Sequence, residues 1–139
     1  MYGGEMARTF RERVHEARRL VRMVSPEQAK VMIDRGQVMV IDVGEAWQLE
    51  VRGTIPGARN ITRGELDVKA DTQEARKDSA LRDRTQTILL ICGGGGKATL
   101  SAATLLEMGF ADVFALKGGC KAWQAAGFPL VKLAPSASG

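Results

Sequence analysis

Cys92 stands inside ICGGGGKAT, residues 91–99, where one thiol is followed by four consecutive glycines and then Lys97. An ionised cysteine is a strong nucleophile, and glycines let a backbone curl tightly enough to aim its N–H groups inward. The apolar, strand-like run TILLIC (87–92) precedes the loop, and KATLSAATLLEMGF (97–110) follows it. There Ala98, Ser101, Ala102, Leu105 and Leu106 recur at helical spacing. The order strand, glycine loop, helix places a thiol at the carboxyl end of a buried strand, facing a helix start that favours anions. A free thiol titrates at about 8.5, and helix N-termini and cations lower that value, so Cys92 is expected to react near neutral pH. Lys97 fits the same chemistry. A cation in the first turn of a helix is unfavourable by roughly 0.3–1 kcal/mol, so it makes more sense facing an anion or a charged sulfur. The competing reading is an inert, buried Cys92 on a flexible turn with Lys97 in solvent.

Other chemistries fail on spacing. A nucleotide-binding P-loop, G-x-x-x-x-G-K-[ST], set on Gly96-Lys97, puts Ile91 at the first glycine and Ala98 at the hydroxyl. A G-x-G-x-x-G dinucleotide pattern is broken by Lys97 and Ala98. The single histidine, His15, lies far in sequence from Cys92 and Cys120, so neither a Cys-His pair nor a metal cluster is expected. No cofactor is expected either. Cys120 reads as a small packed thiol, with a resolving or acceptor cysteine as the other reading.

These residues need elements to position them. VMVIDV (38–43) is a β-branched, fully apolar run suited to a strand buried on both faces. GTIPGARNI (53–61) gives turn punctuation and then a brief edge-like strand, and within ADVFAL the residues Val113 to Leu116 give a third strand. SPEQAKVMIDRG (25–36) begins with an N-cap Ser25, Pro26 at the first helical position and Gln28 completing a capping box, and it stops at Gly36. GGCKAW (118–123) is a glycine turn and a short helix, and residues 62–86 hold a short helix and a loop. Strands alternating with helices predict an α/β domain with a mostly parallel sheet. Ahead of it, Met6, Phe10, Val14, Ala17, Leu20, Val21 and Val24 predict one amphipathic helix of about five turns. Its apolar stripe must be covered by the domain or by a second copy of the chain, and a homodimer through residues 6–24 is expected. The division is a helical arm over 1–24, a domain over 25–133 and a flexible tail over 134–139.

With 139 residues, 45% of them hydrophobic, the chain suits a single domain with its own core. Most of the net charge of +4 sits in residues 1–24, which hold six arginines against three glutamates. No nucleic-acid motif or interleaved aromatics accompany them, so a solvated helix face is expected rather than a nucleic-acid surface. No apolar run approaches the roughly 20 residues of a membrane span, and MYGGEMARTF lacks the apolar core of a secretory signal. Two cysteines make no disulfide framework, and a cytoplasmic setting is expected.

VMVIDVGEAW with GTIPGARNI, then ICGGGGKATLSAATLLEMGF, then ADVFALKGGCKAW with GFPL together resemble the rhodanese-like (sulfurtransferase) family in its single-domain form. The resemblance spans roughly residues 25–130. It implies a three-layer domain, a five-stranded, mostly parallel sheet with helices on both faces, here with the N-terminal helix added. It implies that Cys92 takes a sulfane sulfur from thiosulfate or a persulfide donor, becomes a persulfide, and passes the sulfur to a thiol or cyanide. Gly93, Gly94, Gly95, Gly96, Lys97 and Ala98 match the anion-holding loop, with Lys97 at the closing basic position, commonly arginine in the family. Asp42, Gly118, Gly119 and Trp123 match structural motif positions, and Arg59 and Arg63 are candidates for the pocket mouth. Gly44 replaces the arginine of the usual Asp-Val-Arg-Glu, and Thr54 replaces the histidine of Gly-His-Ile-Pro-Gly-Ala. The alternatives are a phosphatase of the same fold, whose loop is Cys-x5-Arg where this one is Cys-x4-Lys, and a non-catalytic binding or sulfur-relay module.

Overall fold

The computed structural model describes residues 7–133. Its elements run α1 (Phe10–Arg18), β1 (Arg22–Val24), α2 (Pro26–Asp34), β2 (Met39–Asp42), α3 (Ala46–Arg52) and β3 (Arg59–Asn60). There follow α4 (Arg63–Ala70), a 3-10 turn (Ser79–Leu81), β4 (Thr87–Ile91), α5 (Gly96–Glu107), β5 (Asp112–Leu116) and α6 (Gly119–Ala125). The five strands form one sheet in the order β1-β5-β4-β2-β3, every ladder parallel. This is the α/β sheet that the alternating strands and helices predict. An antiparallel bridge, Thr54 to Val131, lies outside it.

The period of two along the central strands splits the core into two layers. Ile88 and Leu90 of β4 face the same cluster as Ile41, Val113 and Ala115, covered by Leu66 of α4 and by Ala98, Ala102 and Leu105 of α5. Leu89 and Ile91 face the other side with Val40 and Leu116, covered by Ala29 of α2 and by Cys120 and Trp123 of α6. All four residues from Ile88 to Ile91 are fully buried. Burying one such side chain is worth about 1.5–3 kcal/mol, so β4 is the backbone of the core on which the glycine loop is mounted.

The capping box at Ser25 and Gln28 is formed, with Pro26 opening α2 and Gly36 following its end at φ +72°. The N-terminal helix departs from expectation in length. α1 ends at Arg18, the chain turns, and Arg22–Val24 joins β5 as an edge strand. Two forces end the helix there. Val21 and Val24 bury against the two core layers, and strand pairing satisfies the backbone of residues 22–24. Arg22, expected on the solvated helix face, instead lies 4.1 Å over the Phe114 ring and pairs with Asp112 at 2.6 Å. Of the stripe residues on α1, Val14 and Ala17 pack on Leu100 and Ala103 of α5, so the domain itself covers these two, while Phe10 stays half exposed. Leu20 is exposed. Met6 and the expected tail at 134–139 lie outside the described residues. Among the described residues, no helix is long and apolar enough to cross a membrane.

Candidate active site

Parallel pairing decides what meets at the carboxyl edge of the sheet. Asp42 is in register with Ile91, so the segments leaving β2 and β4 emerge side by side, and the residue after Ile91 is Cys92. The chain then turns through three glycines into α5, with Gly95 at φ +101° in the cap position.

The loop's carbonyls and amides face different partners. The Cys120 and Lys121 amides, in the first turn of α6, donate to the carbonyls of Cys92 and Gly93 at 2.8 and 3.1 Å. That contact requires glycine at 119, where a Cβ would stand 2.5 Å from both carbonyl oxygens and φ is +63°. With its carbonyls tied to α6, the loop turns amides toward the thiol. Gly95 N–H lies 3.1 Å and Ala98 N–H 3.4 Å from Cys92 Sγ. The amides of Gly96 and Lys97, in the same first helical turn, have no intrahelical acceptor. Cys92 is largely buried yet lines a cavity of about 330 Å³, together with Gly93, Gly94, Gly96, Lys97, Phe10, Gly44, Gln48 and Arg52.

Arg52 is the functional candidate that sequence reasoning missed. It ends α3 and reaches back to the β2 edge. Its guanidinium grips the fully buried Asp42 carboxylate with two bonds, Nη1 to Oδ2 at 2.9 Å and Nη2 to Oδ1 at 3.0 Å. Nη1 also donates to the Gly53 carbonyl at 2.7 Å and lies 3.5 Å from Cys120 Sγ. The carboxylate is completed by the Gly44 amide at 2.9 Å and the Thr54 hydroxyl at 2.6 Å. Burial opposes the Arg52 charge, but the bond to Asp42 and the charges around it outweigh that and hold its pKa above the ordinary value. Gly44 makes the arrangement possible, since a Cβ there would stand 2.6 Å from Arg52 Nη2. The two departures from the family motifs are therefore coupled in space. Where an arginine is usual after Asp-Val, glycine leaves room for an arginine arriving from the other end of α3, and Thr54 takes a place on the same carboxylate.

The remaining candidates divide. Gly118 caps α6 and Gly119 is its first residue, both at positive φ. Trp123 is buried and donates to the Pro129 carbonyl at 2.8 Å. Arg63 lines a second cavity beside the first, which shares Lys97 with it. Arg59 belongs to neither; it pairs with Asp78 at 2.6 Å. Cys120 is buried in the α6 layer, and that burial, more than the opposing pull of Arg52, pushes its thiol up to about 12. Among the described residues, no group of three or more His, Cys, Asp or Glu side chains is arranged to hold a metal ion.

The model of the rhodanese-like domain matches residues 25–126. The chain belongs to the rhodanese-like domain family. A relative in that family, the thiosulfate sulfurtransferase GlpE of Pseudomonas aeruginosa (strain LESB58), is 28% identical over 101 residues, 73% of this chain and 82% of its own. The tRNA uridine(34) hydroxylase of Jannaschia sp. (strain CCS1) is 35% identical over 97 residues, 69% of this chain but 31% of the hydroxylase. A protein of unknown function from Rhodopseudomonas palustris, described as a possible tyrosine phosphatase, has a similar solved structure. Its TM-score is 0.86 at 26% identity, and the match covers 94% of this chain and all of the other. The fold is also that of the polysulfide-sulfur transferase homodimer of Wolinella succinogenes, with a TM-score of 0.68 at 23% identity, covering 92% and 90% of the two chains.

Proposed function

We propose that this rhodanese-like domain is a sulfurtransferase that carries a sulfane sulfur on Cys92 from thiosulfate or a persulfide to a thiol or cyanide. The observation that carries this reading is the pair of loop amides, Gly95 and Ala98, directed at Cys92 Sγ beside a cavity rimmed by Lys97 and Arg52. N–H donors and cations stabilise the sulfur as an anion, which is the attacking form. The Cys92 thiolate attacks the outer sulfur of thiosulfate, and the S–S bond electrons leave with sulfite. The product, a Cys92 persulfide, bears its charge one atom further into the cavity. Cyanide or an acceptor thiolate then takes the terminal sulfur and returns the Cys92 thiolate. Each half-reaction exchanges one anion for another, so a fixed set of donors serves both without rearranging. No histidine is required, since the site removes no proton from a neutral nucleophile.

Thiocyanate formed from thiosulfate and cyanide is the test, with Cys92→Ser as control. Equal rates in the two proteins overturn the reading.

A phosphatase is the second reading, favoured by the description of the Rhodopseudomonas palustris neighbour. The loop argues against it. Four residues separate Cys92 from Lys97, and the next position, Ala98, spends its amide on the sulfur and has no side chain to bind phosphate. Lysine is a point charge and lacks the planar fork that grips a phosphoryl group in two places. Cys92-dependent release of phosphate from an aryl phosphate would reverse the order of the two readings.

A further inference from the structure

We infer that Phe10 is a specificity-determining residue of the Cys92 cavity, selecting sulfur donors that carry an apolar, and above all aryl, substituent beside their anionic head. The inference rests on the sulfurtransferase reading for its chemistry, but its observations are separate. α1 lies outside residues 25–126, the segment matched to the family. Thr9 caps its first turn, its side chain accepting from Glu12 N–H, so the helix begins at Phe10. Val14 and Ala17 anchor it on Leu100 and Ala103 of α5. Phe10, four residues before Val14, continues that stripe by one turn and so arrives at the loop.

The contact there is close. A Cβ built on Gly96 would stand 2.9 Å from Phe10 Cζ, 3.0 Å from Cε2 and 3.4 Å from Val14 Cγ2. The fourth glycine is thus matched to the aromatic ring: a side chain at 96 and Phe10 compete for one space. The ring is not spent on packing, since Phe10 stays 50% exposed and lines the same cavity as Cys92 and Lys97. One cavity therefore holds two kinds of recognition, loop amides with Lys97 and Arg52 for an anionic head, and an open aromatic face for an apolar tail. Inorganic thiosulfate uses only the first. An organic thiosulfonate, R–SO2–S−, uses both. Cys92 thiolate attacks its terminal sulfur, the S–S bond breaks, the electron pair leaves with the sulfinate R–SO2−, and Cys92 persulfide forms. Two anions enter and two result, with no added oxidant or reductant.

The test compares benzenethiosulfonate with methanethiosulfonate, cyanide as acceptor and thiocyanate as readout, in the wild type, Phe10→Ala and Phe10→Leu. Intrinsic reactivity differences cancel when the ratio of kcat/KM for the two donors is compared between proteins. The expected result is an aryl-to-methyl ratio about tenfold lower in Phe10→Ala and intermediate in Phe10→Leu. A ratio unmoved by Phe10→Ala, or an equal loss for both donors, overturns the inference. If the wild type transfers sulfur from neither donor, the sulfurtransferase reading falls by itself. Phe10 is then judged by protection of Cys92 from iodoacetamide. Stronger protection by benzenesulfonate than by methanesulfonate, lost in Phe10→Ala, upholds the aromatic subsite, and equal protection overturns it.

Discussion

Replacing Arg52 with methionine tests how the site is held. Methionine keeps most of the stem's apolar packing and removes the guanidinium, so the Asp42 carboxylate keeps only the Gly44 amide and the Thr54 hydroxyl. Breaking a buried ion pair by removing one partner costs about 3–5 kcal/mol, because the remaining charge has lost both water and its counterion. Asp42 is fully buried, while the Arg52 side chain is 20% exposed, and that water access places the loss near the lower end, about 3 kcal/mol. For a chain of 139 residues, each kcal/mol moves the midpoint by about 3–5 °C, so Tm should fall by about 10–15 °C. Urea unfolding of the wild type, Arg52→Met, Asp42→Asn and the double variant gives the coupling directly, expected near 2 kcal/mol because the two single losses describe one interaction. An Arg52→Met loss below about 1 kcal/mol, with additive single and double effects, would refute the clamp.

Three further outcomes follow from other contacts. Gly119→Ala should destabilise the fold by about 2–5 kcal/mol in urea unfolding, combining left-handed backbone strain with overpacking against the Cys92 and Gly93 carbonyls. Cys120 should resist iodoacetamide in the native protein at pH 8. Its folded pKa, about 12, lies above the ordinary 9.0, so the folded state holds the proton longer and stability falls as pH rises from 9 to 12. Cys120→Ala should remove a slope of up to about 1.4 kcal/mol per pH unit in that window, seen by comparing the two proteins' unfolding curves. Lys97→Met should raise KM for thiosulfate about tenfold, whereas Arg59→Ala should leave steady-state kinetics unchanged, since Arg59 is engaged with Asp78 away from the cavity.

What the sequence shows of this molecule follows from how local each feature is. The Cys92 loop is contiguous, and its glycines and the strand and helix around it can be read in one pass. The core strands read cleanly because β4 is apolar on both faces, as a central parallel strand must be. β1 is different. Its three residues pass from exposed through half-buried to buried, too short for a period of two to separate from the helical stripe before it. α3 was also hidden. Trp47 and Val51 point to solvent and only Leu49 is buried, so its apolar residues trace no single face. Arg52 went with it, because its role depends on a fold that returns the end of α3 to Asp42. Gly44 and Thr54 could be seen as departures from a motif, but that they belong to one carboxylate is a fact of three dimensions. Phe10 was legible as part of a stripe, whereas its place beside Gly96 depends on how α1 sits on α5.

The central claim is that Cys92 holds a transferable sulfur against the loop amides of Gly95 and Ala98. Intact-mass measurement after incubation with thiosulfate, without acceptor, tests it most directly. The account predicts a gain of one sulfur atom in the wild type, discharged by cyanide as thiocyanate and absent in Cys92→Ser. A wild-type mass left unchanged, or the same gain in Cys92→Ser, would contradict it.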